Sequence, residues 1–147
     1  MSDARHWALV PAAGAGRRMG STVPKQYLPL LGRPVIAHAL TILLDHPRID
    51  GVAVAIDASD EWWPTVVADL DAAKPLLSAR GGAERCHSVL NGLETLRERA
   101  APNDWVLVHD AARPCLTPAD LDRLLSELAD DPVGGLLAAP VRDTLKQ

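Results

Sequence analysis

A glycine-containing loop followed by two basic side chains lies near the start of the chain. Gly14 and Gly16 follow the apolar residues 7–11, and because glycine has no Cβ, the backbone there can bend sharply and come close to a ligand. Successive N–H groups in such a loop can converge on an anion. Arg18 and Lys25 follow closely, and their charges can neutralise phosphate oxygens. The spacing predicts a cradle for a triphosphate.

Two better-known phosphate loops do not match this stretch. The dinucleotide fingerprint requires G-x-G-x-x-G, whereas the spacing of Gly14, Gly16 and Gly20 is one residue too wide. The acid expected about 20 residues further on is represented only by Asp57, which lies too far along the chain. The pattern G-x-x-x-x-G-K-[ST] is also absent. These mismatches argue against a nicotinamide-dependent oxidoreductase, and an ordinary tight strand-to-helix turn is the plainer alternative to a phosphate cradle.

A second group of chemically capable residues follows a strongly apolar segment, residues 105–109. Asp110 stands where that predicted strand ends, and a carboxylate there suits Mg²⁺, which prefers oxygen ligands. Arg113 could bind a phosphate on a second substrate. The alternative is that Asp110 only stabilises a turn and that Arg113 is a solvated surface charge. A single carboxylate also makes an incomplete metal site.

A third candidate is the turn Gly81-Gly82, which precedes a predicted helix. Ser88 lies about one turn into that helix, and its hydroxyl could form a hydrogen bond with a base or a ribose. A glycine-rich turn followed by a surface serine explains these residues equally well.

Composition limits the classes of protein that fit. The 147 residues suit one domain, 1–147. The net charge of -4 argues against general nucleic-acid binding, which uses basic surfaces. Cys86 and Cys115 form no C-x-x-C pair and the histidines form no H-E-x-x-H motif, which argues against a disulfide framework and a zinc site. No apolar signal region or membrane-length run is present, so we expect a cytoplasmic protein without a membrane partner.

Alternating strand and helix patterns must position these residues. Apolar strands alternating with helices predict an α/β fold, with a parallel sheet and helices on both faces. Ligands in such folds bind at the carboxyl ends of the strands, where the three candidate loops could share one rim. The pattern predicts strands at 7–11, 51–56, 76–79, 105–109 and 134–139 and helices at 34–46, 59–73, 84–100 and from Thr117, with Ser59 and Thr117 as caps.

The apolar spacing also predicts which faces of the helices point inward. In the helix at 84–100 the predicted inner residues are Cys86, Val89, Leu93 and Leu96, and in the helix after Thr117 they are Leu121, Leu124, Leu125 and Leu128.

Five motifs occur in order along the chain. They are Pro-Ala-Ala-Gly-x-Gly-x-Arg-Met, Pro-Lys-Gln-Tyr, Gly-Gly-x-Glu-Arg, Val-His-Asp-Ala-Ala-Arg-Pro and Ala-Pro-Val-Arg-Asp-Thr. With them the sequence resembles the 2-C-methyl-D-erythritol 4-phosphate cytidylyltransferases of the non-mevalonate isoprenoid pathway, over the whole chain. The resemblance implies a three-layer Rossmann-like nucleotidyltransferase fold. It also implies Mg²⁺-dependent transfer of CMP from CTP to 2-C-methyl-D-erythritol 4-phosphate, with release of pyrophosphate.

The resemblance further implies a role for each residue that matches a motif. Arg18 and Lys25 would stabilise the transition state, and Asp110 would bind the metal. Arg113 and Thr144 would face the methylerythritol phosphate. The residues implied to contact the nucleotide are Ala12, Ala13, Gly14, Gly16, Gly82, Ser88 and Ala111.

Two departures from the family pattern leave alternatives open. Ala83 stands where the family commonly has Asp, which removes any side-chain contact at that position. The chain ends at Gln147, whereas family members continue into a dimerisation arm and a segment with a second metal-binding acid. We therefore expect a truncated polypeptide that would form a homodimer only when full-length. The alternatives are a related nucleotidyltransferase acting on ribitol phosphate or a sugar phosphate, and a non-catalytic nucleotide-binding fragment.

Overall fold

The computed structural model describes residues 4–14 and 23–141. The chain divides into two compact units, Met1–Leu116 and Thr117–Gln147. No helix in the described ranges is long and apolar enough to cross a membrane. The prediction of a single domain over 1–147 remains a prediction.

A four-stranded parallel sheet forms the centre of the first unit. Its strands are β1 His6–Pro11, β4 Gly51–Ile56, β5 Leu76–Arg80 and β6 Trp105–Val108. Their order in the sheet is β5-β4-β1-β6, and β1 pairs with both β4 and β6. Apolar residues dominate the two central strands because both faces of a parallel sheet are covered; Leu9 and Val54, for example, are fully buried. A small antiparallel hairpin adds β2 Pro29–Leu30 and β3 Arg33–Pro34.

Helices cover both faces of this sheet. They are α1 Val35–Asp45, α2 Trp63–Asp69 and α3 Arg85–Leu96. The chain moves from β1 to β4 in one direction and from β5 to β6 in the other, and right-handed crossovers then place the intervening helices on opposite faces. On one face α3 packs on Trp7, Leu9 and Ala53 through residues that include Leu96. The other face is covered by α1, which contacts β4. A short 3-10 turn spans Lys25–Tyr27. The α/β fold is confirmed.

The inner face of α3 differs from the predicted one. Leu96 is buried and Val89 packs partly buried against the core, as predicted. Ser88 and Gly92 are also buried, whereas Cys86 and Leu93 are exposed. Gly92 packs so closely on Leu9 that an added Cβ would overlap the leucine Cδ1 atom. The apolar pattern missed these two buried positions because a glycine and a hydrogen-bonded serine occupy them.

Two predictions about strands need correction. Residues 134–139 form no strand, and Leu136 and Leu137 are exposed; no strand in the described part of the chain pairs with them. The segment at 105–109 is a half-buried edge strand rather than a buried one, because β6 pairs only with β1 in the described sheet.

The helix predicted from Ser59 is shorter and is capped differently. It begins at Trp63 because Pro64 is tolerated only in the first turn. The carboxylate of Asp60, and not Ser59, accepts the N–H groups of Trp62 at 3.0 Å and Trp63 at 2.9 Å.

Within residues 117–141, the described part of the second unit, there is one helix, α4 Pro118–Glu127. Thr117 accepts the N–H of Asp120, whose side chain in turn accepts the N–H of Thr117. This capping box and the proline in the first turn confirm the predicted helix start. Leu121 and Leu125 are buried, as predicted.

Candidate functional site

The loop that follows β1 is attached to its neighbours by the backbone and by close packing. The N–H of Ala12 donates to the carbonyl of Ala55 at 2.7 Å, and the N–H of Gly81 donates to the carbonyl of Ile56 at 2.6 Å. A Cβ on Gly81 would overlap the Cβ of Ala13, so glycine is required for this close approach. At Gly14, by contrast, an added Cβ would meet nothing within 4 Å. Gly14 therefore faces open space, as a backbone that binds a ligand should.

Gln26 joins the Lys25 turn to this loop. Its side chain is only 4% exposed, and Nε2 donates to the carbonyls of Ala12 at 2.8 Å and Gly14 at 3.2 Å. The exposed Lys25 thereby stands beside the loop, although it lies thirteen positions after Ala12 in the sequence. Sequence reasoning missed this role of Gln26. The signal available was an amide placed between the lysine and the tyrosine of the Pro-Lys-Gln-Tyr motif.

Tyr27 anchors the same turn on its other side. Its hydroxyl donates to Asp60 at 2.7 Å, and its ring stacks on Trp62 with 5.6 Å between ring centroids. Burial raises the pKa of the Tyr27 phenol well above its usual value, and the hydrogen bond and negative charge of Asp60 raise it further. Since Asp60 also caps α2, the start of that helix holds the Lys25 turn in place. We call residues 12–14 together with Lys25–Tyr27 the glycine-loop wall.

The turn before α3 is held by the serine that the sequence singled out. Ser88 is 3% exposed, and its hydroxyl accepts the N–H of Gly82 at 3.0 Å and donates to the carbonyl of Glu84 at 3.3 Å. A Cβ on Gly82 would overlap the Cβ of His87, so glycine is needed here too. The hydroxyl keeps one acceptor position for a ligand. That Ser88 contacts a nucleotide remains a prediction.

Two arginines bind the carboxylate of Asp110. Arg85 donates to Oδ1 through Nε at 3.1 Å and Nη2 at 2.9 Å, and Arg113 Nε lies 2.9 Å from Oδ2. His109 Nε2 lies 2.8 Å from the carbonyl of Arg113, which closes the turn. Partial burial by itself would raise the pKa of Asp110, but the hydrogen bond and charge of Arg85, together with the Arg113 and His109 charges, lower it below its usual value. We call Arg85, Asp110 and Arg113 the ion-pair wall.

The two walls enclose one cleft at the carboxyl ends of β1 and β6. Its volume of ≈ 520 Å³ is within the range of small-molecule sites. From β1 the chain continues to β4 on one side, whereas β6 lies on the other side of β1. The cleft lies at this change of direction, which is the usual ligand position in open α/β sheets. The predicted residues that it brings together are Ala12, Ala13, Gly14, Lys25, Gly82, Ser88, Asp110, Ala111 and Arg113.

Some predicted residues are not tested by this geometry, and other lining residues were not predicted. Gly16, Arg18 and Thr144 lie outside the described residues. Ala83, which the sequence marked as a departure from the family pattern, also lines the cleft. The lining residues to which the sequence assigned no role are Pro11, Gln26, Glu84, Arg85 and Ala112. Arg85 was the most consequential of these, and its signal was its place in the Gly-Gly-x-Glu-Arg motif.

The charges around the cleft favour an anionic ligand. Lys25, Arg85 and Arg113 contribute three cations to the described lining, against the carboxylates of Glu84 and Asp110. Small residues on the glycine-loop wall leave backbone groups accessible for a close ligand. This combination can hold a phosphate chain by charge and by hydrogen bonds.

Known proteins of one family are similar to this chain over most of its length. The sequence model of the family 2-C-methyl-D-erythritol 4-phosphate cytidylyltransferase matches residues 7–147. A protein of that description from Pseudomonas aeruginosa is 56% identical over 142 residues, which is 96% of this chain and 60% of the relative. The chain therefore spans about 60% of the length of the curated relatives that it matches.

Two solved structures are also similar. One, described as 4-diphosphocytidyl-2C-methyl-D-erythritol synthase, has a TM-score of 0.82 and 33% identity, covering 98% of this chain and 63% of its own. The other, CMP:2-keto-3-deoxy-manno-octonic acid synthetase complexed with CTP, has a TM-score of 0.63 and 22% identity, covering 88% of this chain and 49% of its own. The second likeness shows the fold alone.

Proposed function

This chain belongs to the 2-C-methyl-D-erythritol 4-phosphate cytidylyltransferase family, and on that premise we propose that it carries the nucleotide-binding part of such an enzyme. The reaction transfers CMP from CTP to 2-C-methyl-D-erythritol 4-phosphate and releases pyrophosphate. The observation that supports this best is the convergence of nine separately predicted residues on one cleft.

The triphosphate of CTP would lie along the glycine-loop wall. Ala12, Ala13 and Gly14 line the cleft there, with Gly14 exposed, and Lys25 stands beside them as a point charge. Gly82, Ser88 and Ala111 line the rest of the cleft and would meet the cytidine. Gln26 and Tyr27 keep the lysine in position before the nucleotide arrives, which reduces the cost of organising the site during the reaction.

The chemistry is an in-line displacement at the α-phosphorus. An oxygen of the acceptor phosphate forms the new P–O bond, and the bond between the α-phosphorus and the bridging oxygen breaks with its electron pair on pyrophosphate. No covalent enzyme intermediate is required. Lys25 and Arg18 would stabilise the charge that develops on the phosphate oxygens, so catalysis is mainly positioning and electrostatic stabilisation.

The residues of the cleft fit a Mg²⁺ ion. Asp110 provides the oxygen ligand that this ion prefers, and one carboxylate is enough where phosphates and water complete the shell. Each Asp110 oxygen is bonded to an arginine, so a bound Mg²⁺ would share this carboxylate with Arg85 and Arg113 or displace one of them. Magnesium, when bound, would neutralise phosphate charge.

The acceptor would lie toward the ion-pair wall. Arg113 is exposed at the cleft, and releasing Asp110 would leave its guanidinium available to a phosphate. Thr144 is proposed to face the same acceptor. A cytoplasmic location and a homodimer of the full-length polypeptide complete the proposal, and light scattering of that polypeptide tests the dimer.

Calorimetry and a pyrophosphate assay test this function together. We expect Mg²⁺–CTP to bind this chain, and Lys25→Ala to weaken that binding while Arg97→Ala, on an exposed helix end, leaves it unchanged. A panel of methylerythritol phosphate, ribitol phosphate and sugar phosphates then identifies the acceptor by pyrophosphate release. If this chain releases none, a chimera carrying the C-terminal part of a curated relative is assayed.

Each outcome has one meaning. No CTP binding overturns the proposal, and release only with ribitol phosphate or a sugar phosphate overturns the acceptor. Binding by the chain with release only by the chimera supports a nucleotide-binding role for this part. Binding with no release by either identifies a non-catalytic nucleotide-binding module.

A further inference from the structure

Three metal-ligating side chains converge at the start of α3, and none of them has a role in the proposed reaction. They belong to Glu84, Cys86 and His87, and one ligand atom from each lies within 4.8 Å of the other two. The Cys86 Sγ atom lies 3.7 Å from Glu84 Oε2. The absence of an H-E-x-x-H motif argued against one kind of zinc site. It does not exclude the arrangement E-x-C-H, which residues 84–87 form at the start of α3.

From this convergence we infer that Glu84, Cys86 and His87 form a binding site for a borderline-soft divalent cation, Zn²⁺ before others. Thiolate, imidazole and carboxylate are the ligands that zinc takes in proteins. Three protein ligands leave the fourth tetrahedral position to water.

The distances are close to those that coordination needs. With the usual zinc–ligand lengths, neighbouring ligand atoms of a tetrahedral site lie roughly 3.3–3.6 Å apart. The separations in the cluster exceed this only moderately, and all three residues are exposed, so rotation of side chains can close the gap. Binding replaces the thiol S–H bond of Cys86 by an S–Zn bond and releases the proton to solvent.

The charges also balance. A thiolate and a carboxylate neutralise the two positive charges of the ion, and the partial positive charge of a helix N-terminus favours both anionic ligands. The nearest cation in sequence, Arg85, is bonded to Asp110 and so does not take up the Glu84 carboxylate.

Ligand type separates this site from the position proposed for Mg²⁺. Sulfur and nitrogen ligands select zinc-like ions, whereas Mg²⁺ prefers oxygen. Glu84 also lines the cleft, but a thiolate–metal band reports Cys86, which the proposed reaction does not use, so either proposal can fail without the other.

Cobalt and zinc titrations of the reduced, tag-free chain test the inference. We expect one Co²⁺ per chain, with a thiolate-to-cobalt charge-transfer band that Zn²⁺ abolishes and excess Mg²⁺ does not. Cys86→Ser should remove the band, and Cys115→Ser should keep it, since Cys115 is the other exposed free thiol. Because loss of an outer-shell partner alone weakens metal affinity about 10–100-fold, Glu84→Gln and His87→Asn should weaken Zn²⁺ binding at least about tenfold.

Two results would overturn the site. One is a band that survives in Cys86→Ser or disappears in Cys115→Ser. The other is displacement of Co²⁺ by Mg²⁺, which would mean an oxygen-ligand site. Circular dichroism of each variant checks that the fold is retained.

Discussion

The two walls of the cleft are built in different ways. The glycine-loop wall is held by buried hydrogen bonds, with Gln26 only 4% exposed between two backbone carbonyls. The ion-pair wall is held by salt bridges whose arginine side chains are 61% and 76% exposed. Buried hydrogen bonds are costly to break because their groups are left without partners, whereas exposed ion pairs contribute little and exchange readily.

The two walls are therefore suited to different roles in binding. A wall that must present backbone groups and Lys25 to a phosphate chain benefits from being rigid before the ligand arrives. A wall whose carboxylate is proposed to bind a further partner benefits from weak contacts. The substitutions below test each wall, beginning with the largest expected effect.

Lys25→Ala should be the most damaging change to function. Removing one preorganised donor typically lowers kcat by about 10²–10³, and Lys25 is the described cation on the glycine-loop wall. The rate of pyrophosphate release, measured in an active polypeptide, gives the effect, and Arg97→Ala is the control for loss of an exposed cation. A near-normal kcat in Lys25→Ala would remove the lysine from the reaction.

Two alanine substitutions on glycines separate folding from binding. Gly81→Ala would force the Cβ against Ala13 and place it 2.9 Å from the Ile56 carbonyl oxygen, so we expect a stability loss of about 1–3 kcal/mol. Gly14→Ala meets nothing within 4 Å and should leave stability unchanged while weakening CTP binding. Urea unfolding and calorimetry measure the two effects. Normal CTP binding by Gly14→Ala would mean that the nucleotide does not approach this backbone.

Gln26→Leu tests the buried hydrogen bonds of the glycine-loop wall. The leucine keeps a similar volume but leaves the carbonyls of Ala12 and Gly14 without this donor, which should cost about 1–3 kcal/mol of unfolding free energy. Asn91→Leu is the matched control, because its amide donates to the Arg80 carbonyl at 2.9 Å from an exposed position. Equal losses in the two variants would contradict the rigidity assigned to this wall.

Arg85→Ala should have the smallest effect on stability, below about 1 kcal/mol, because the ion pair is exposed. Its effect on titration should be clear, since the loss of Arg85 raises the lowered pKa of Asp110 toward its usual value. A lowered carboxyl pKa stabilises the fold above the unfolded-state pKa, and this stabilisation disappears as the pH falls through the folded-state pKa. The difference between wild type and variant should therefore vanish in acid. An unchanged Asp110 titration by NMR would contradict the pairing.

Local patterns were sufficient for most of the elements. The strand at Gly51–Ile56 was predicted at its observed bounds, because its apolar run has few alternatives. The Thr117 cap was equally readable, since its hydrogen bonds join residues three apart. The inner face of α3 was predicted only at Val89 and Leu96; Gly92 was missed because its burial depends on contact with Leu9 on β1.

The sequence by itself determined the α/β architecture and the family, because periodicity and motif spacing are properties of neighbouring residues, and the residues that it assigned to phosphate remain predictions. Tertiary structure alone decided that Gln26 joins two distant loops, that Arg85 shares Asp110 with Arg113, and that Glu84, Cys86 and His87 converge. Those contacts depend on where strands end and which way side chains turn, and these are settled only when the whole chain packs.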